Sequence, residues 1–211
     1  MRYVQYGCGL CAPKEWVNYD ISPTLRIRKI PIVGKVITKI FNQDIHFPAN
    51  IMYGDIVKGL PEKRGGVDAA YCSHTLEHLA LQDLRTALNN TYSMLKTGGT
   101  FRFVLPDLEY LARIYVQDLN NHNPDAAVSF IGNTLMGVTK RQYGTKAFIK
   151  GFFGNSHHLW MWDYYSLAAE LSKAGFRNIR RCQFNDNPDP MFSHVEDRER
   201  FLNSLAMEAT K

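Results

Sequence analysis

The residues of this chain best placed to do chemistry come early. Tyr6-Gly7-Cys8-Gly9 follows the apolar pair Tyr3-Val4, and Asp20 closes a second run, Trp16-Val17-Asn18-Tyr19. In an open parallel sheet, ligands lie outside the carboxyl ends of the strands, where glycine lets them approach the backbone and a carboxylate accepts hydrogen bonds from ribose hydroxyls. Strand, glycine turn, strand, acid therefore points to a nucleotide-type cofactor. A plain glycine turn between two buried strands reads the same way. The third glycine of the dinucleotide fingerprint is also missing, because Gly9 is followed by Leu10, Cys11, Ala12 and Pro13.

Other reactive side chains fall into small groups. Cys8 and Cys11 form a C-x-x-C, whereas Cys72 and Cys182 stand alone without a neighbouring Cys or metal-spaced His pair, so no metal site is expected in the chain. A redox dithiol prefers the first turn of a helix, and Pro13 with the apolar run from Trp16 leaves little room for one. Glu77-His78 is expected in a helix first turn, capping backbone amides rather than catalysing. His157-His158 precedes Trp160 and Trp162 and is a candidate for facing substrate, although adjacent residues project their rings in different directions.

The elements that must position these groups alternate. Strands are expected at Tyr3–Tyr6, Trp16–Asp20, Ile51–Asp55, Val67–Ser73 and Thr100–Leu105. A basic amphipathic segment, Leu25–Phe41, reads as a covering helix. A second helix carries Leu76, Leu79, Leu84, Leu88, Tyr92 and Leu95, with Lys96-Thr97-Gly98-Gly99 as its basic last turn and glycine stop. A helix opens at Leu108, another spans Trp162–Ala174 ahead of Gly175, and strands follow at Asn178–Phe184 and Ser204–Ala209. This alternation predicts a single α/β domain over residues 1–211, with a doubly wound, Rossmann-like, mostly parallel sheet. Asp20, Asp55 and Ser73-His74 then share one edge of it. Residues 108–155 break the pattern with glycine and aromatics (Phe130, Tyr143, Phe148, Phe152, Phe153) and are expected to form a substrate lid, a dimerisation arm being the rival reading.

Composition narrows the classes. A chain of 211 residues with 45% hydrophobic residues can bury a sizeable core. The excess of 25 basic over 20 acidic residues is mild and unclustered, which argues against an obligate nucleic-acid binder. No apolar run approaches the roughly 20 residues of a membrane span, and a strand-like run begins at once, so the expectation is a cytoplasmic protein without stable membrane insertion.

Taken in order, these landmarks resemble the class I S-adenosylmethionine-dependent methyltransferases, in particular a small methyltransferase type 11-like group whose first loop runs GCG…W-x-N-x-D. The matching pieces are Tyr6-Gly7-Cys8-Gly9, Trp16-Val17-Asn18-Tyr19-Asp20, Gly54-Asp55-Ile56, Ser73-His74-Thr75-Leu76-Glu77-His78-Leu79, Met94–Thr100, Val104–Glu109 and Ala174-Gly175-Phe176. The resemblance implies that S-adenosyl-L-methionine lies with its methionine part on Gly7 and Gly9. Asp20 would hold the ribose, Asp55 with Ile56 would bracket the adenine, and Ser73 with His74 would face the sulfonium. Tyr6, Cys8, Ile21 and Gly54 complete the expected cofactor set.

The reading favoured on this basis is methyl transfer to a small-molecule or glycan-like acceptor at oxygen or nitrogen, with His74, His157 and His158 as candidate bases and Asp107 behind them. Asp20 stands only 11 positions after Gly9, too few for the usual helix, so a shortened first crossover is expected (20 − 9 = 11). The alternatives are a non-catalytic cofactor- or partner-binding protein of the same fold and, with less support, a nicotinamide-dependent oxidoreductase.

Overall fold

The computed structural model describes residues 1–22, 25, 47–140 and 157–211. The segment Leu25–Phe41 therefore lies, but for Leu25, outside the described residues, as do 141–156 with Tyr143, Phe148, Phe152 and Phe153.

Among the described residues, seven strands form one sheet: β1 Tyr3–Tyr6, β2 Val17–Asp20, β3 Ile51–Tyr53, β4 Val67–Ser73, β5 Leu95–Pro106, β6 Arg177–Arg181 and β7 Ser204–Thr210. Their order is β3-β2-β1-β4-β5-β7-β6. The first five run parallel, and β7 is antiparallel to both β5 and β6. Every residue of β1 is buried, and β4 is buried at all positions but Asp68, as expected for central strands covered on both faces. Registers that pair Asp20 with Tyr53 and Ser73 with Val104 bring the carboxyl ends to one edge. This is the α/β architecture expected.

The helices are α1 Leu81–Met94, α2 Leu108–Asn120, α3 Ala126–Asn133, α4 Tyr164–Lys173 and the short α5 Arg198–Phe201, with 3-10 turns at Leu76–His78 and Pro190–His194. The helix expected from Leu76 is interrupted: Ala80 is extended, and α1 starts only at Leu81. Its far end also differs. Leu95 is already extended and pairs with Val67, so Lys96-Thr97-Gly98-Gly99 belongs to β5 rather than to a helix stop. The two glycines find main-chain partners in Lys211, whose amide donates to Gly99 while its carbonyl accepts from Gly98. Asp163 and Ser166 form a capping box that starts α4 at Tyr164, two residues later than expected. β3 ends before Asp55, which turns back to accept the Val57 amide, and β6 stops at Arg181 because Asp186 accepts the Gln183 amide and closes the next loop.

Alternation along the strands loads both faces of the sheet. One face carries the main core, where Val4, Tyr6, Phe101 and Phe103 meet Leu84 and Leu88 of α1 and Leu167 and Leu171 of α4. The other carries Tyr3, Trp16, Ala69 and Tyr71, packed against Phe192 and Val195. Residues 7–16 contain no helix, as the short crossover required. The connection between β6 and β7 covers this second face: Tyr3 donates its hydroxyl to Asp189 (2.8 Å), and the Trp16 and Phe192 rings lie 5.6 Å apart. Arg102, fully buried, ties the same connection to β5 through Glu196, Asp186 and the Gln183 carbonyl. No helix among the described residues is long and apolar enough to cross a membrane.

Candidate active site

The turn after β1 is built by two glycines with positive φ. At Gly7 (φ +62°) a Cβ would stand 2.1 Å from Thr75 Oγ1, so only glycine lets the turn pack against the segment leaving β4. At Gly9 (φ +56°) no described residue lies within 4 Å of a Cβ, so among the described residues the space directly above the backbone is open. The Gly9 amide donates to Asp20 Oδ2 and the Ser22 amide to Oδ1, both at 2.8 Å. Asp20 is only 6% exposed, and each oxygen keeps a lone pair for a further donor. Next to it Ile21 is half exposed and offers an apolar surface.

The other expected cofactor residues divide. Tyr6 and Cys8 are buried: the Tyr6 hydroxyl meets Thr91 Oγ1 at 3.1 Å, and Cys8 packs with Leu25 and Ile51. Burial pushes the Cys8 thiol up to about 12, which leaves a poor thiolate and little for a dithiol to work with. Gly54 is needed for packing, since a Cβ would stand 2.6 Å from the Tyr19 ring. Asp55 is partly exposed, 3.5 Å from Lys58 Nζ. Ile56 differs from expectation, because its side chain lies in the main core and leaves only its backbone near Asp55.

After β4, Ser73 Oγ accepts from Arg200 at 3.3 Å, and His74 takes a left-handed conformation (φ +48°). A carbonyl can only accept, so His74 Nε2 donates to the Arg200 carbonyl (3.1 Å), which turns Nδ1 toward Glu77 Oε1 at 3.4 Å. Burial pulls the His74 pKa down, but the nearby Glu77 carboxylate and the hydrogen bond to the Arg200 carbonyl outweigh it and leave the group raised. Both ring nitrogens are thus engaged.

Glu77 does not cap amides as expected. The 3-10 turn has no side-chain cap, and Glu77 is fully buried with neither carboxylate oxygen hydrogen-bonded. Its main-chain oxygen instead receives the amides of Leu159 and Trp160, pinning the segment that enters α4. This brings the adjacent histidines close while separating their rings: His157 is exposed, with Nδ1 3.2 Å from the Leu135 carbonyl, and His158 is buried.

A cavity of about 380 Å³ opens beside His74, between the end of β5 and the helices that follow it. Asp107, Tyr110, Ile114 and Asn133 form its walls. Asp107 caps α2 by accepting the Glu109 amide (2.9 Å), and its other oxygen lies 3.4 Å from Arg181. His157 and His158 do not line this cavity. The contact of Arg200 with Ser73 and His74 had no sequence signal, since nothing in Asp197-Arg198-Glu199-Arg200 distinguishes it from a solvated charged turn.

Comparison with known proteins bears on this arrangement. Residues 4–103 match the family model described as a methyltransferase domain, a little under half of the chain. No curated protein matches. A SAM-dependent methyltransferase from Thermotoga maritima superposes with a TM-score of 0.50 at 18% identity, covering 100% of this chain and 82% of that one. The CMeT domain of the citrinin polyketide synthase gives 0.50 at 12% identity, covering 100% of this chain and 46% of that one. At such identities the likeness is one of fold. The chain has the mostly parallel, seven-stranded fold of the class I methyltransferases, and its first half matches a methyltransferase domain.

Proposed function

We propose that this protein transfers the methyl group of S-adenosyl-L-methionine to a small-molecule or glycan-like acceptor, at oxygen or nitrogen. The observation that carries the reading is the pairing of Gly9 and Asp20: a buried carboxylate at the end of β2, oriented by the Gly9 amide, beside space above that glycine which no described residue fills. These residues fit the cofactor. Asp20 has lone pairs left for ribose hydroxyls, Ile21 offers an apolar face for adenine, and the turn Tyr6-Gly7-Cys8-Gly9 offers its backbone to the methionine part. Gly54, Asp55 and the Ile56 backbone close the adenine side, with Ser73 and His74 at the sulfonium edge. The cofactor supplies an activated methyl group, and in-line displacement at carbon depends chiefly on alignment.

The acceptor is assigned to the cavity beside His74. Of the three candidate bases, His74 alone lines it. With its nitrogens engaged by Arg200 and Glu77, it acts first as a positioning group, and Asp107 is the carboxylate on the same wall. Residues 108–155 are assigned as a lid within one domain of residues 1–211, because α2 and α3 already wall the cavity.

Calorimetry with S-adenosylhomocysteine and NAD, followed by turnover with S-adenosylmethionine, tests the reading. Binding of S-adenosylhomocysteine with methyl transfer supports it, binding without any turnover leaves a cofactor-binding protein, and binding of NAD alone means an oxidoreductase. Hydrogen exchange tests the lid: protection of 108–140 that follows protein concentration and ignores ligand would make this segment a homodimer interface.

A further inference from the structure

Glu77 is a buried carboxylate whose nearest counter-group, the His74 imidazole, stands at ion-pair distance without completing a hydrogen bond. Among the described residues it is the carboxylate side chain with full burial and no hydrogen bond to either oxygen. A bare carboxylate removed from water costs several kcal/mol, so such groups are paired or bind a cation. The groups facing it are imidazoles: His74 Nδ1 at 3.4 Å and His158 Nε2 at 4.0 Å, with His78 following in the chain.

His78 is already arranged as a ligand. Its Nδ1 lies 3.1 Å from the carbonyl of His157, so Nδ1 carries the proton and Nε2 the free lone pair. Metal-binding histidines typically donate their second nitrogen to a carbonyl in this way. The His78 and His158 rings meet edge to face at 5.0 Å. One ligand atom from each of Glu77, His78 and His158 lies within 4.8 Å of the other two. Bonds of about 2.0–2.2 Å put two ligands of one ion at most about 4.4 Å apart, so small side-chain rotations would suffice.

We propose that Glu77, His78 and His158 bind a divalent transition-metal ion of the zinc class. Two imidazoles and one carboxylate suit zinc, cobalt or iron(II) and leave coordination positions open, unlike the all-oxygen sets of magnesium and calcium. The ion clips the turn after β4 to the segment entering α4, a junction already marked by the Leu159 and Trp160 amides on the Glu77 carbonyl. His74, which touches Glu77 and lines the cavity, stands between this ion and the acceptor space. The site involves no residue of the Gly9–Asp20 turn, so it holds or fails independently of the methyl-transfer reading.

The test uses the full chain, stripped with a chelator and titrated with Zn²⁺ or Co²⁺ by calorimetry and visible absorption. The expected result is one ion per chain, with cobalt bands of a low-coordinate nitrogen and oxygen site. His78→Asn and His158→Asn each weaken binding by more than about 100-fold, beyond the 10–100-fold typical of outer-shell partners. Glu77→Gln does the same where it folds, and the two histidine variants decide where it does not. Exposed His157→Asn and the double variant Cys8→Ser/Cys11→Ser retain the ion. Absence of stoichiometric binding overturns the site. So does one ion per chain that survives His78→Asn and His158→Asn, or that disappears with the cysteines.

Discussion

Trp16 donates its indole N–H to the carbonyl oxygen of Met191, 175 positions further along the chain, at 3.0 Å. The bond joins the residue that enters β2 to the turn between β6 and β7. It marks how the molecule replaces a missing element: with no helix in residues 7–16, this face of the sheet is closed by a segment from the far end of the chain. Trp16→Ala is expected to cost about 3–5 kcal/mol, as for other buried aromatics, and Trp16→Phe about 1 kcal/mol for the hydrogen bond. Denaturant titration measures both. A Trp16→Ala protein as stable as wild type would mean that the 186–201 segment contributes little cover.

Arg102 gives the same segment its electrostatic anchor. Its guanidinium meets Glu196, Asp186 at 2.8 Å, Glu208 at 3.0 Å and the Gln183 carbonyl at 2.7 Å, and both Arg102 and the Glu196 side chain are fully buried. Arg102→Met leaves Glu196 buried and uncompensated, at a cost of about 3–5 kcal/mol. Arg102→Met/Glu196→Gln should recover part of this loss. A double variant no better than the single one would show that Asp186 and Glu208 govern the penalty.

The two turn glycines should separate fold from ligand. At Gly7 a Cβ collides with Thr75, so Gly7→Ala is expected to lower stability by about 2 kcal/mol or more through overpacking and positive-φ strain. At Gly9 the Cβ meets no described residue, so Gly9→Ala costs about 1 kcal/mol of strain yet fills space assigned to the cofactor. Melting and S-adenosylhomocysteine titration of both variants check this. Gly9→Ala binding at wild-type strength removes the cofactor from that turn.

Asp20→Ala should cost about 2–3 kcal/mol of S-adenosylhomocysteine binding, the range of hydrogen bonds to a charged group. Because Asp20 also receives the Gly9 and Ser22 amides, Asp20→Asn is the companion variant. It keeps an acceptor for one amide and should fold better than Asp20→Ala while still binding weakly. Unchanged affinity in a folded Asp20→Ala protein would sink the ribose assignment.

Glu170 supplies the pH dependence. Hydrogen bonds from Arg85 (2.8 Å) and Lys173 (2.8 Å) hold its carboxyl down at about 2. A depressed carboxylate contributes stability that is complete above its ordinary value near 4.5 and is lost as the pH falls toward 2. Lys173 and part of Arg85 reach solvent, which screens the pair, so Glu170→Gln is expected to cost about 1 kcal/mol at pH 7. That difference should shrink steadily below about pH 4.5. A constant difference down to pH 2 would assign the loss to packing.

What the sequence determined by itself was local. The apolar runs of β1, β2, β4 and β7, the glycine turn, and the absence of a first helix follow from residue types and from 11 positions between Gly9 and Asp20. What only tertiary structure decided depends on which distant groups meet. Lys96–Gly99 reads as a helix stop until Lys211 offers its main chain, and Ile56 reads as a cofactor contact until its side chain is seen in the core. Glu77-His78 reads as a cap until Leu159 and Trp160 bind the Glu77 carbonyl and bring His158 alongside. Periodicity and turn chemistry act over a few residues and are written in their order. Pairing across a sheet, and the burial that makes a carboxylate without hydrogen bonds costly, arise only when segments remote in sequence close upon each other.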